Sequence, residues 1–78
     1  MKSLAINTLI ETFGAEKIMK PFKKGYRYMS LEINEIINKQ IGANLNTYTT
    51  TGIFRELFKT EEQKELIGGK VIRFYKIK

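Results

Sequence analysis

The side chains best suited to chemistry stand in one stretch, Thr47-Tyr48-Thr49-Thr50-Thr51, followed at helical spacing by Arg55 and Lys59. Hydroxyls and cationic groups of this kind donate hydrogen bonds, and they suit the capture of an anion rather than the making or breaking of a bond. If the threonines open a helix, the unpaired N–H groups and partial positive charge of its first turn join the same donor set. Catalysis lacks its usual parts, because the chain has no His, no Cys and no Asp. Glu32 and Glu35 lie three apart with Lys39 four residues after Glu35, the spacing of a solvated surface pair. Ser3 and Ser30 both fit helix caps, and Gly68-Gly69 fits a turn rather than a phosphate loop. The expectation is a chain that is not an enzyme, with no cofactor and no metal.

The elements that must position these donors can be read from apolar spacing. Ile33, Ile36, Ile37 and Ile41 share one face of a helix over residues 30–41, with Ser30 as N-cap and Gly42 as terminator. Gly42-Ala43-Asn44-Leu45-Asn46 then reads as a tight polar connection plugged by Leu45. Ile53, Phe54, Leu57 and Phe58 define the buried face of a second helix over residues 49–59, with Thr51, Arg55 and Lys59 opposite. Two short helices joined in this way have the layout of a helix-turn-helix, whose second helix enters the major groove. The same layout also serves many small helical domains that bind no nucleic acid.

Ahead of this pair, Ile6, Leu9, Ile10 and Phe13 predict a supporting helix over residues 2–13, with Ser3 as its cap and Gly14 as its end. Residues 15–20 can form one more helical turn before Pro21, Phe22-Lys23-Lys24-Gly25 reads as a turn, and residues 26–29 alternate as a short strand. After the pair two readings compete. Thr60-Glu61-Glu62-Gln63 matches a capping box and would start a short helix, whereas residues 65–77 form a hairpin about Gly68-Gly69. The hairpin is expected, because Val71-Ile72-Arg73-Phe74-Tyr75 is strongly strand-like and needs a neighbour.

Seventy-eight residues make one domain, 1–78, with a core near the lower limit for stability without disulfide or metal. A homodimer would add buried area to so small a core. No apolar run approaches a membrane span and no signal-peptide pattern opens the chain, so a cytoplasmic protein is expected. The net charge of +6 is unevenly placed. Residues 16–29 hold Lys17, Lys20, Lys23, Lys24 and Arg27 against Glu16 alone, and residues 70–78 hold Lys70, Arg73, Lys76 and Lys78 with no acid. Blocks of this kind favour a polyanionic partner through counterion release, although they also keep a small protein in solution.

In its order of elements the chain resembles the winged-helix DNA-binding domains, an α+β fold of three helices with a small antiparallel sheet or C-terminal hairpin. The resemblance is one of layout and covers most of the length: residues 26–29 as first strand, 30–41 and 49–59 as the helix-turn-helix, 65–77 as the wing. It implies that Thr49, Thr50, Thr51 and Arg55 face the major groove, with Lys59 near phosphates and Lys70 and Arg73 on the wing. Apart from the resemblance, Lys23, Lys24 and Arg27 with the nearby tyrosines could grip a backbone, or the strand could simply pair with the C-terminal strand and leave the lysines solvated. The implied function is sequence-specific binding of double-stranded DNA, as a small repressor in transcription regulation or an excisionase-like architectural factor. Glu56, inside the reading helix, departs from a purely basic surface and can accept from a cytosine amino group or face a protein. The alternative is a protein-binding module or an inhibitor of a larger machine, built on the same fold.

Overall fold

The computed structural model describes residues 4–78, so the expectations for Lys2 and Ser3 fall outside it. Among the described residues there are four helices and one three-stranded antiparallel sheet, an α+β fold. The first helix, α1 (Leu4–Phe13), turns Ile6, Leu9, Ile10 and Phe13 toward the core, as their spacing requires. A five-residue helix, α2 (Ala15–Met19), follows directly after Gly14 and buries Ile18 completely. Phe22, read from sequence as part of a turn, also belongs to the core. The loop that carries it is pinned to the end of the chain, where the Gly25 N–H donates to the Ile77 carbonyl at 2.8 Å.

The short strand β1 (Arg27–Met29) runs straight into α3 (Ser30–Ile41), which leaves no residue between them to act as a hydroxyl cap. Ser30 is therefore the first helical residue and not the N-cap; Met29 holds that position, and its N–H donates to the Glu32 carboxylate at 3.0 Å. Ile33, Ile37 and Ile41 are buried along the inner face. The second helix of the pair, α4 (Thr47–Leu57), begins two residues earlier than its threonine run implied. Asn46 caps it through a side-chain oxygen that accepts from the Thr49 N–H at 2.8 Å. It also ends earlier, since Phe58 has extended backbone angles, and Lys59 lies in the link to the sheet rather than on the helix.

The remaining residues form the hairpin of β2 (Thr60–Ile67) and β3 (Lys70–Ile77). Gly68 and Gly69 have φ of 58° and 80°, the pair of left-handed angles that a primed two-residue turn demands. The capping-box reading of Thr60 to Gln63 as a helix is overturned, and β2 starts at Thr60 rather than at Glu65. The stretch Thr60-Glu61-Glu62-Gln63-Lys64-Glu65 has no apolar side chain to bury. A helix there would gain nothing from the core, whereas a strand pairs with β3 along its whole length, from Thr60↔Ile77 to Ile67↔Lys70. The strand order is β1-β3-β2, with Tyr28 opposite Tyr75 and Arg27 opposite Lys76. Alternation along the strands puts Tyr28 and Tyr75 on the face covered by helices, and Arg27, Phe74 and Lys76 on the other.

Candidate nucleic-acid interface

The connection between α3 and α4 is held from the helix side by two asparagines one turn apart. Asn38 accepts from the Leu45 N–H at 2.8 Å through Oδ1 and donates to the Leu45 carbonyl at 2.9 Å through Nδ2. Asn34 donates to the same carbonyl at 2.9 Å and to the Thr50 hydroxyl oxygen at 3.0 Å. This part-buried network fixes the angle at which α4 leaves the turn, and nothing in the apolar spacing of α3 signalled it.

Thr50 is the site residue that the structure removes. It is fully buried, and its hydroxyl lies between Asn34 and the carbonyls of Thr47 and Asn46, so it cannot face a groove. Its position explains this: with Ile53 and Phe54 it shares the buried face of α4, where a hydroxyl needs an internal partner. Thr49 and Thr51 are half-buried, and the Thr51 hydroxyl oxygen is buried with no hydrogen-bond partner among the described residues. The residue that stands clear instead is Tyr48, 87% exposed on the first turn and seven positions before Arg55. Sequence reading passed over it as one of a polar run; the period of the helix puts the two side chains on one stripe.

That stripe continues through Gly52 to Lys59. Gly52 is close to α1: a Cβ built there would lie 2.6 Å from Ile6 Cδ1, so the absent side chain lets the two helices approach. Along the stripe runs an open cleft of about 1040 Å³, lined by Ile6 of α1, by Tyr48, Arg55, Glu56 and Lys59 of the helix and link, by Thr60 of β2 and by Lys78 just after β3. Lys59 and Lys78 are tied together, since the Lys78 N–H donates to the Lys59 carbonyl at 2.9 Å. The Arg55 guanidinium lies 6.0 Å from the centre of the buried Tyr75 ring. Arg73 reaches the same tyrosine from the hairpin, and its hydrogen bond to Tyr75, followed by the charge of Glu62, raises its pKa above the ordinary value. Arg55, Lys59, Lys78 and Arg73 are therefore brought to one side of the molecule.

Other expected residues are placed elsewhere. Arg27 lies on the sheet face away from the helices, with its guanidinium 4.0 Å from the centre of the Phe74 ring and hydrogen-bonded to Gln63 and Glu65. It stands with Glu65 on a half-exposed sheet face, apart from the cations gathered beside α4. Lys70 is exposed just after the hairpin turn, Lys23 stands 5.9 Å from the Tyr26 ring, and Lys24 lines a second cleft on the far side of the α4–β2 link.

The Arg27–Glu65 pair supplies a pH prediction. Its hydrogen bond holds the Glu65 carboxyl below the ordinary value of 4.5. A group whose pKa is lowered on folding adds stability above its unfolded pKa and loses it as pH falls through the folded value. The stability difference between the native chain and Glu65→Gln is thus expected to be constant near neutrality and to close on acidification below the ordinary carboxylate range. The pair is half-exposed, so the gap is small. Thermal unfolding across pH checks it, and a gap unchanged at acid pH would show that the pair contributes no charge interaction.

Comparison with protein-family models, with curated proteins and with solved structures gives no match. What the geometry defines is a small α+β domain whose helices and three-stranded sheet are compatible with a winged-helix layout. Among the described residues no helix is long and apolar enough to cross a membrane.

Proposed function

We propose that the chain is a winged-helix protein that binds double-stranded DNA through the outer stripe of α4, as a small repressor or an excisionase-like architectural factor. The observation that carries this reading is the cleft that brings Tyr48 and Arg55 of α4 together with Lys59 of the link and Lys78, on either side of the contact between Gly52 and Ile6 of α1. A helix held at a fixed angle by the Asn34–Asn38 network, with Tyr48 and Arg55 exposed on either side of the α1 contact at Gly52, can offer those two side chains to a groove. Arg55 is the base reader, Tyr48 offers an aromatic face and a hydroxyl beside it, and Lys59 and Lys78 meet phosphates.

The test is selection from a random-sequence duplex library at two salt concentrations. Enrichment of one site at the higher salt supports a sequence reader, and a palindromic site would indicate that two copies bind together. Arg55→Ala is expected to cost about 1–3 kcal/mol on the selected site and little on random duplex. Lys59→Ala and Lys78→Ala weaken all sequences alike, each lowering the salt slope by about 1. Equal losses on both DNAs for Arg55→Ala would exclude base reading by that residue.

A protein-binding module remains the second reading, favoured by one observation. Leu66 and Val71 are cross-strand partners near the hairpin tip, 73% and 68% exposed, an apolar pair that phosphate contact does not use. A partner seated there would give an affinity nearly flat in salt, unlike DNA.

A further inference from the structure

The two basic blocks of the sequence meet at a second cleft, which shares Lys59 and Lys78 with the first. Lys20 and Lys24 from the first block, Lys78 from the second and Lys59 from the α4–β2 link line a cleft of about 550 Å³. Its remaining walls are apolar, formed by Met19, Phe22, Leu57, Phe58 and Ile77, and no acidic side chain lines it. Phe22 and Ile77 are buried, so the apolar wall is continuous with the core.

This distribution differs from that around Arg27, Arg73 and the cleft along α4. Arg27 is paired with Glu65, Arg73 with Glu62, and the cleft along α4 contains Glu56. Around the second cleft, four lysines line a largely apolar recess with no carboxylate side chain among the lining residues. Low-dielectric walls strengthen their mutual repulsion and also the attraction for an anion placed between them. A bare phosphate backbone would use the lysines and leave the apolar recess unfilled. The cleft is shallow and open to solvent, so a ligand would lie along it with one side exposed.

We propose that this cleft binds a small amphiphilic anion, an alkyl chain with an anionic head: the chain lies against Met19, Leu57 and Phe58, and the head is held by Lys20 and Lys24. The inference stands independently of the DNA reading. On that reading it adds regulation, because Lys59 and Lys78 line both clefts and an anion in one draws their charge from DNA in the other.

The test is a methyl NMR titration of the full chain with decanoate below its micelle concentration, beside decanol and acetate. Saturable shifts are expected at Met19, Leu57 and Ile77, with decanoate bound at least about tenfold more tightly than either control. Replacing Lys20→Gln and Lys24→Gln together is expected to weaken decanoate by about tenfold and leave decanol unchanged, whereas Lys39→Gln has no effect. Both lysines are exposed, and thermal unfolding of the double variant confirms that the fold is retained. Decanol binding as tightly as decanoate, a double variant that binds normally, or shifts centred on Leu66 and Val71 would each overturn the proposal.

Discussion

Asn38→Ala is expected to lower the unfolding free energy by about 2–3 kcal/mol, because it strips the turn before α4 of its only side-chain acceptor for the Leu45 N–H. The two groups of Leu45 are not equally exposed to this loss. Its carbonyl still receives Asn34 at 2.9 Å, but its N–H has Asn38 Oδ1 at 2.8 Å and is left without that bond inside a part-buried turn. Asn34→Ala removes donors from the Leu45 carbonyl and the Thr50 hydroxyl and takes the 3.3 Å acceptor from one Asn38 amide N–H, but it strands no backbone N–H, so its cost is smaller, about 1 kcal/mol. Urea unfolding of the two variants measures the difference as a shift in midpoint at constant slope. Equal costs would mean that the Leu45 N–H finds another acceptor and that Asn38 is not what fixes the turn. On the DNA reading Asn38→Ala also weakens binding to the cognate site, since α4 loses its fixed departure angle while every residue of its outer stripe is retained.

The same region shows how far the sequence can be read. The isoleucines of α3 and the group Ile53, Phe54 and Leu57 of α4 lie where their spacing puts them, because burial of an apolar face depends only on helical period. That period also carries Thr50 inward, three positions before Ile53 and seven before Leu57, so its removal from the interface was legible and was obscured by treating the threonines as one polar run. Tyr48 and Arg55 follow from the same arithmetic. The glycine in the middle of α4 was a further signal, since a helix accepts that cost where another element needs the space, here Ile6. The extent of β2 was hidden for a different reason. Its first six residues are polar and helix-compatible, and only pairing with β3 decides their state. The meeting of the basic blocks is wholly tertiary: it depends on the Gly25–Ile77 and Lys59–Lys78 backbone bonds, which join the first loop and the link to the end of β3.

Phe54→Ala is the substitution expected to damage the chain most, at about 3–5 kcal/mol. The ring is fully buried and sits at the centre of an aromatic cluster, 4.9 Å from Phe22, 5.0 Å from Phe58 and 5.9 Å from Tyr28 between ring centroids. It therefore joins α4 to the loop after α2, to β1 and to the α4–β2 link, and truncation leaves a cavity that no single element can close. A domain of this size lies near the lower end of the usual range of about 5–15 kcal/mol, so the loss consumes most of its stability. Phe58 is only half-buried, and Phe58→Ala is expected to cost less; Phe54→Leu, which keeps most of the volume, should also fold better than Phe54→Ala. Circular dichroism melts of the three variants give the order directly. If Phe58→Ala proved as damaging as Phe54→Ala, the cluster would not be centred on α4. The order matters for the interface as well, because Phe54 and Arg55 are consecutive on the helix. The ring that anchors the inner face of α4 also sets where its outer stripe points, so core and candidate interface share one element and a fault in the first displaces the second.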